Sequence, residues 1–317
     1  MSGRDRNAER LRSVRPLNGA LSHGASVRSQ VSRAKAMRSE PASSAPATPI
    51  VKWAGGKTKL LTELLARMPA QFERYYEPFA GGAALFFRVA RVFSVLGDSN
   101  ADLMACYRAL ASDADGVLRE LHAHAERHSE GHYCAVRSAF NAGQQRGSVM
   151  RAAAFIYLNK ACFNGLWRVN GLGEFNVAWG KHATFAPDVD NLRAAAAALA
   201  RAELRTGSYV ETVRDAQDGD FVYVDPPYDG TFTSYTAGKF GDADQAEVAF
   251  TVRKLVERGC KIMVSSPDTP RIRALYAGMR IDTVKCGRAI NCNGKGRGAV
   301  DEVIVMAGYE PSGVTNG

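Results

Sequence analysis

The 317-residue chain contains no hydrophobic run that approaches the roughly 20 residues of a membrane-spanning helix. Its six cysteines are scattered, and no two of them form a Cys-x-x-Cys pair. Such pairs are typical of zinc sites and redox motifs, whereas scattered cysteines are usual for reduced thiols in the cytosol. The sequence therefore predicts a soluble cytoplasmic protein with no membrane segment and no metal centre.

Acidic residues are fewer than basic ones, with 32 Asp and Glu against 41 Lys and Arg and a net charge of +9. Residues 1–48 carry +6 of this charge, which leaves only +3 for the rest of the chain. This first segment is rich in Ser, Ala and Arg and lacks the apolar centre of a secretory signal, so we predict a disordered basic tail. Because the body is only mildly basic, a polyanionic partner such as DNA needs a local patch of positive charge.

The remaining chain alternates between strand-like and helix-like segments, which predicts a doubly wound, mainly parallel α/β sheet. Helical patterns take over between residues 111 and 204, which predicts an insertion within the sheet. Predicted strands cover residues 50–54, 75–79, 92–96, 221–224, 261–265 and 303–307, and predicted helices cover residues 57–68, 83–92, 149–161 and 190–202. We expect a tail at 1–48, one domain from 49–110 and 205–309, an inserted domain at 111–204, and a flexible end at 310–317.

The most informative segment is Asp225-Pro226-Pro227-Tyr228, which follows an apolar stretch of β-branched and aromatic residues. The stretch predicts a buried strand, and the two prolines stop its ladder because neither has a backbone N–H. The segment is then a stiff turn at the carboxyl end of a strand, where open α/β sheets bind ligands. Its carboxylate, carbonyls and aromatic face suit an exocyclic amino group on a flat ring. The alternative is an ordinary strand-ending turn.

This segment resembles the catalytic motif of amino-methyltransferases, which move a methyl group from S-adenosylmethionine to adenine N6 or cytosine N4. Four further segments resemble one branch, the Dam-like (D12 class, alpha group) DNA adenine methyltransferases, and they stand in that family's order across residues 49–308. The resemblance implies a Rossmann-like methyltransferase sheet with an inserted target-recognition domain that carries a β-hairpin. It also implies a bacterial or phage enzyme with the catalytic residues Asp225, Pro226, Pro227 and Tyr228.

The segment Val51-Lys-Trp-Ala-Gly-Gly-Lys-Thr58 comes close to a P-loop, but Val51 stands where that motif requires glycine, which disfavours an ATPase. It closely resembles the Lys-Trp-x-Gly-Gly-Lys motif that borders the cofactor pocket in the Dam-like family. The alternative is a core tryptophan beside a helix start.

Two more segments resemble parts of the family's cofactor site. Glu77-Pro-Phe-Ala-Gly-Gly-Ala83 is a glycine-rich turn with Ala83 where the last glycine often stands, and Asp98 ends a predicted strand. An acid at that place accepts ribose hydroxyls in nucleotide-binding folds, while the alternative is a helix cap. The resemblance implies the S-adenosylmethionine-binding residues Trp53, Gly55, Lys57, Glu77, Phe79, Gly81, Asp98 and Asp225.

The stretch from Asn159 to Gly180 predicts a hairpin around a tight turn at Asn170-Gly171. It resembles the recognition hairpin of the Dam-like family, with Phe163 in place of a frequent Tyr and Ala178 in place of a frequent Pro. By this resemblance Arg168 reads guanine, Leu166 contacts a thymine methyl, and Phe163 fills the space of a flipped base. The alternative is a structural hairpin. The expected DNA-binding residues are Phe163, Asn164, Leu166, Arg168 and Asn170, together with Arg288 and Arg297 of a basic glycine-rich loop.

The sequence thus predicts methyl transfer to adenine N6 in duplex DNA, by analogy within GATC, through base flipping and direct in-line transfer. The chemistry calls for S-adenosylmethionine and duplex DNA but for no metal and no cysteine nucleophile. Two alternatives remain: a cytosine-N4 DNA methyltransferase, and a binding-only DNA reader without turnover. Either restriction-modification or regulatory marking of DNA is consistent with the resemblance.

Overall fold

Seven strands form one sheet in the computed structural model, which describes residues 45–89, 93–145, 147–228, 240–287 and 299–311. Most of the predicted basic tail lies outside the described residues, and so do residues 312–317, Arg288 and Arg297. The strands are β1 (Tyr75–Glu77), β2 (Ser94–Asp98), β3 (Ala202–Thr206), β4 (Phe221–Val224), β5 (Lys261–Pro267), β6 (Arg280–Gly287) and β7 (Ala299–Ala307).

The strand order is β3-β2-β1-β4-β5-β7-β6, and only the pairs that involve β7 are antiparallel. The chain proceeds outward from β1 through β2 to β3, and then returns to the centre to place β4 on the other side of β1. This reversal makes the carboxyl ends of β1 and β4 a topological switch point, which is where ligands bind in open α/β sheets. All residues of β1 and β4 are buried, as expected for strands covered on both faces.

Ten α-helices accompany the sheet within the described residues. They are α1 (Leu61–Arg67), α2 (Ala84–Val89), α3 (Ala101–Ser112), α4 (Ala114–Glu126), α5 (Glu130–Asn141), α6 (Ser148–Ala161), α7 (Val189–Leu199), α8 (Tyr209–Thr212), α9 (Asp242–Glu257) and α10 (Pro270–Leu275). None of the helices in the described part of the chain is long and apolar enough to cross a membrane.

Helices α3 to α7 stand between β2 and β3 in the chain, and α6 is the helix around which α3, α4 and α5 pack. Most of α6 is buried, because its small residues Ala152, Ala153 and Ala154 let neighbouring helices approach closely. The predicted helices at 149–161 and 190–202 are confirmed as α6 and α7, although α7 ends at Leu199 because residues 202–206 form the unpredicted strand β3.

The predicted strand at residues 50–54 is wrong. Ile50 and Val51 are buried in the core, but the backbone of Lys52 hydrogen-bonds to the side chain of Asn159 instead of a neighbouring strand. The predicted helix at 57–68 is divided into a 3₁₀ turn (Lys57–Leu60) and α1, and Leu65, expected on its apolar face, is exposed. Strand β6 was not predicted either.

Candidate active site

The Asp225-Pro226-Pro227-Tyr228 turn follows β4 directly, at the switch point of the sheet. The carboxylate of Asp225 accepts a hydrogen bond from Ser265 Oγ at 2.9 Å. It also forms an ion pair with Lys57, whose Nζ lies 2.7 Å from Asp225 Oδ1 and 2.9 Å from Asp225 Oδ2. The hydroxyls of Tyr223 and Ser265 lie 2.8 Å apart beneath this pair. Three elements therefore converge on one carboxylate: the 3₁₀ turn, β4 and β5.

Burial raises the pKa of Asp225, while the charge of Lys57 and the hydrogen bonds from Lys57 and Ser265 oppose that rise. Desolvation destabilises the charged form of a carboxyl, and an adjacent cation restores part of that loss. The site thus holds an anion in a place that is mostly removed from water, where its hydrogen bonds are strong.

The rest of the turn is fixed by two side chains from elsewhere in the fold. Gln245 Nε2, near the start of α9, donates to the carbonyl oxygen of Pro227 at 2.8 Å. The hydroxyl of Tyr228 donates to Glu302 Oε2 of β7 at 3.1 Å, and burial raises the pKa of Tyr228. Both contacts hold the turn in a single conformation.

Glu77 at the end of β1 is buried next to the turn. Its Oε2 accepts hydrogen bonds from the Tyr75 hydroxyl at 2.7 Å and from the backbone N–H of Phe86 at 3.2 Å. Burial raises the pKa of Glu77 to about 8. The structure therefore shows Glu77 joining β1 to α2 from within the core.

Gly81 and Asp98 join the turns that follow β1 and β2. The N–H of Gly81 donates to Asp98 Oδ2 at 2.9 Å, and the N–H of Asn100 donates to Asp98 Oδ1 at 2.8 Å. Gly81 has a φ of +46°, and its carbonyl accepts a hydrogen bond from the Tyr107 hydroxyl at 2.6 Å. Burial raises the pKa of Asp98. The helix cap itself is Asn100, whose side chain accepts from Leu103 N–H, so Asp98 is not the cap.

Trp53 packs against the glycine turn. A Cβ atom at Gly81 would lie 2.7 Å from Trp53 Cδ1, so glycine is needed for this contact as well as for the positive φ. Phe79 stacks on Tyr209 with ring centroids 5.1 Å apart and meets Phe240 edge-on at 6.2 Å. Gly55 accepts a hydrogen bond from Lys57 Nζ at 2.7 Å through its carbonyl oxygen. The predicted cofactor residues thus lie along the carboxyl ends of β1, β2 and β4.

The predicted hairpin is present as an irregular loop with two isolated antiparallel bridges, one between Cys162 and Trp179 and one between Val169 and Phe175. Trp167 and Phe175 are buried and stack at 4.5 Å. The turn runs from Asn170 to Gly173, where the N–H of Gly173 donates to the Asn170 carbonyl, and the positive φ falls on Gly173. The tight turn predicted at Asn170-Gly171 is present as the first half of this four-residue turn, and the Asn170 side chain caps it by accepting from Leu172 N–H and Glu174 N–H.

The outer face of this loop carries the polar residues predicted to meet DNA. Arg168 Nε donates to Asn176 Oδ1 at 2.9 Å, which fixes the guanidinium across the loop. Phe163 is 59% exposed, and Asn164 beside it is exposed with a φ of 58°. Leu166 is half-buried, and Leu172, which was not singled out in the sequence, is 84% exposed at the tip.

The structure brings Lys57, Asp225 and Tyr228 together, while the expected hairpin residues lie on the loop between α6 and α7. The sequence indicated no contact with this turn for four further residues that surround it from β4, β5, α9 and β7, namely Tyr223, Ser265, Gln245 and Glu302. In the described part of the chain, no group of three or more His, Cys, Asp or Glu side chains could hold a metal ion.

Comparison with known proteins gives a consistent result. Residues 53–290 match the family described as D12 class N6 adenine-specific DNA methyltransferase. The type II methyltransferase M.MjaIII of Methanocaldococcus jannaschii is 37% identical over 287 residues, which cover 81% of this chain and 98% of that protein. The DNA adenine methylase of Vibrio cholerae is 34% identical over 264 residues, with 81% of this chain and 94% of that protein covered.

Escherichia coli K12 DNA adenine methylase is 33% identical over 274 residues, which cover 84% of this chain and 96% of that protein. The family match spans the Asp225 turn, the glycine turn and the hairpin loop together. The predicted family and the predicted Rossmann-like methyltransferase fold are both confirmed. The chain belongs to the D12 class of N6-adenine-specific DNA methyltransferases.

Proposed function

We propose that this enzyme methylates adenine N6 within GATC in duplex DNA, and that the target base leaves the helix before it reacts. The observation that carries the proposal is the buried carboxylate of Asp225 beside the ring of Tyr228 at the switch point of the sheet. An adenine inside a duplex cannot reach such a recessed carboxylate, and extruding it costs only a few kcal/mol.

In the proposed mechanism, the Asp225 carboxylate and the Pro226 carbonyl accept the two hydrogens of the adenine amino group. Gln245 already binds the carbonyl of Pro227, which favours Pro226 as the second acceptor. Two accepting contacts increase the electron density on the amino nitrogen and orient its lone pair for in-line attack. Tyr228 stacks on the base, and its hydroxyl bond to Glu302 keeps the ring in place.

The carboxyl ends of β1 and β2 suit S-adenosylmethionine, the methyl donor that a methyltransferase family implies. Gly81 leaves room for a close approach of the backbone, and Asp98 retains lone pairs for hydroxyl donors beyond its two backbone contacts. We assign Trp53, Gly55, Lys57, Phe79, Gly81 and Asp98 to the border of this pocket, with Glu77 supporting it from inside. When bound, S-adenosylmethionine supplies the methyl group as a sulfonium electrophile that needs no metal activation.

We assign recognition of the DNA sequence to the hairpin loop. Arg168 is anchored through Nε, so its two terminal nitrogens remain to contact guanine O6 and N7, a contact that contributes ~1–3 kcal/mol of discrimination. Phe163 fills the space of the extruded base, while Asn164, Leu166 and Asn170 contact neighbouring bases or phosphates. Arg288 and Arg297, outside the described residues, are proposed as phosphate contacts.

The test is transfer of labelled methyl from S-adenosylmethionine to duplex DNA with and without GATC, followed by analysis of the nucleosides. The proposal expects N6-methyladenine in GATC DNA alone. N4-methylcytosine would establish the first alternative, and DNA binding without label in either duplex would establish the binding-only reader. Label in both duplexes would retain the chemistry and reject GATC.

A further inference from the structure

The ammonium group of Lys57 is held at the Asp225 turn by two hydrogen bonds and an ion pair. Nζ lies 2.7 Å from Asp225 Oδ1, 2.9 Å from Asp225 Oδ2 and 2.7 Å from the carbonyl oxygen of Gly55. The Lys57 side chain is only 6% exposed. This is therefore a buried cation with a carboxylate and a carbonyl as partners, and not a loosely held surface lysine.

The same nitrogen lies over the ring of Tyr228, 4.6 Å from the ring centroid. A cation at this distance from an aromatic face gains a cation–π attraction. Lys57 therefore makes both contacts that the proposed function gives to the target base, namely N–H donation to Asp225 and a position on the Tyr228 face. The Asp225 carboxylate and the face of the Tyr228 ring are thus shared by the Lys57 ammonium and the target base.

We propose that Lys57 is a resident stand-in for the target amino group, and that a base enters the site only by displacing the ammonium from Asp225. The proposal rests on the proposed function and adds a selection step to it. Lys57 then acts as a specificity-determining residue: it makes the site admit a base that brings its own exocyclic N–H donors.

The preference for a base with an amino group follows from the contacts that Asp225 retains once Lys57 has been displaced. Adenine brings two amino hydrogens, so it can replace the contacts that Asp225 loses when Lys57 withdraws. A purine without the amino group brings none, and its entry would leave a buried carboxylate without partners apart from Ser265. Breaking a buried ion pair without replacement is strongly unfavourable, so such a base stays in the duplex. Lys57 keeps the Gly55 carbonyl as a partner in the displaced position.

The test compares binding of two GATC duplexes that differ only at the target base, with adenine in one and unsubstituted purine in the other. S-adenosylhomocysteine replaces the methyl donor so that no turnover occurs. Wild-type enzyme should bind the adenine duplex about tenfold or more tightly. In Lys57→Met the ratio should fall to about twofold, because a buried Asp225 that has lost the opposing charge of Lys57 takes up a proton, and a neutral carboxyl no longer depends on the amino hydrogens of the base. Lys57→Arg should retain most of the wild-type ratio.

Lys59→Met is the matched control, because it makes the same substitution at an exposed lysine of the same 3₁₀ turn and should leave the ratio unchanged. If Lys57→Met does not fold, Lys57→Gln replaces it, since a neutral amide can still donate a hydrogen bond but lacks the charge that opposes protonation of Asp225, so the ratio should again fall. A second readout is the division between KM and kcat: Lys57→Met should lower kcat without raising the KM for DNA. A purely structural role would raise KM and lower kcat together.

A wild-type ratio that Lys57→Met and Lys57→Gln leave unchanged would overturn the proposal and leave the proposed function intact. Equal binding of the two duplexes by the wild-type enzyme would instead contradict the proposed function, since no target amino group would then be recognised.

Discussion

The side chain of Asn159 binds both backbone polar groups of Lys52: its Nδ2 donates to the Lys52 carbonyl at 2.8 Å, and the Lys52 N–H donates to its Oδ1 at 2.7 Å. Asn159 is fully buried at the end of α6, and its Nδ2 also lies 3.4 Å from the carbonyl oxygen of Gly165. One amide therefore joins the segment that leads to Trp53 and Lys57 with the start of the hairpin loop.

Asn159→Ala should lower the free energy of unfolding by about 2–3 kcal/mol, because it removes the hydrogen bonds of a fully buried side chain and leaves part-buried backbone groups of Lys52 without those partners. Asn191 offers a matched control, since it makes the same pair of bonds to Thr48 at an exposed position, at 2.7 and 3.2 Å. Asn191→Ala should cost less than about 1 kcal/mol, because water replaces the lost partners. Equal losses in urea denaturation would contradict the assignment.

Ser265→Ala should move the acid limb of the kcat/KM profile to higher pH. The hydrogen bond from Ser265 stabilises the Asp225 anion and so lowers the pKa of a carboxyl that burial has raised. Without it the pKa of Asp225 rises further, so activity is lost at a higher pH as the solution is acidified. Ser266→Ala is the control, because the buried Ser266 hydroxyl has no hydrogen-bond partner among the residues that the structure describes. A limb that does not move would show that Asp225 does not titrate with activity.

The histidine pair of the helical region should make stability fall in acid. His124 Nδ1 and His132 Nε2 lie 3.0 Å apart, and burial lowers the pKa of His124 to about 4, with the charges of His132 and Arg127 adding to the effect. A histidine with a lowered folded-state pKa binds its proton more readily when unfolded. Stability is therefore complete above about pH 6.5 and decreases as the pH falls towards 4.

In His124→Gln the melting temperature should fall less between pH 6.5 and 4 than it does in the wild type. His122→Gln is the matched control, since His122 is exposed on the same helix. An unaltered slope in His124→Gln would assign the acid sensitivity to other groups.

Arg168→Ala should relax the preference for one guanine of the site and lower kcat/KM on cognate DNA by ~10–100-fold. Asn176→Ala should give a smaller loss in the same direction, because it frees the guanidinium that Asn176 holds at 2.9 Å. The measurement is methylation of duplexes in which each GATC guanine is replaced in turn. Loss of activity that is uniform across all duplexes would identify Arg168 as a phosphate contact instead.

The central strand and its turn could be predicted because local sequence determines them. Phe221–Val224 is uniformly apolar and ends in two prolines, so strand, burial and turn were all evident from neighbouring residues. The prediction of a strand at 50–54 failed for the opposite reason: Ile50 and Val51 are buried as expected, but the backbone of Lys52 pairs with a side chain 107 residues away. No local pattern reveals that partner.

The side chains that support the Asp225 turn could not be predicted from the sequence for a related reason. Ser265 and Glu302 reach the turn from β5 and β7, which meet only when the sheet has formed. Strand β3 was hidden because its sequence, Ala202–Thr206, alternates weakly and continues an alanine-rich helix. Motif resemblance identified the residues that contact ligands in the family, whereas the residues that support them required the structure.

The most direct test of the account is methyl transfer by Asp225→Ala measured beside its affinity for DNA. The account predicts that transfer to GATC DNA is abolished while DNA affinity stays within about tenfold of the wild type, because Asp225 acts on the amino group and not on the duplex. Normal turnover in Asp225→Ala would contradict the assignment of this turn as the catalytic centre.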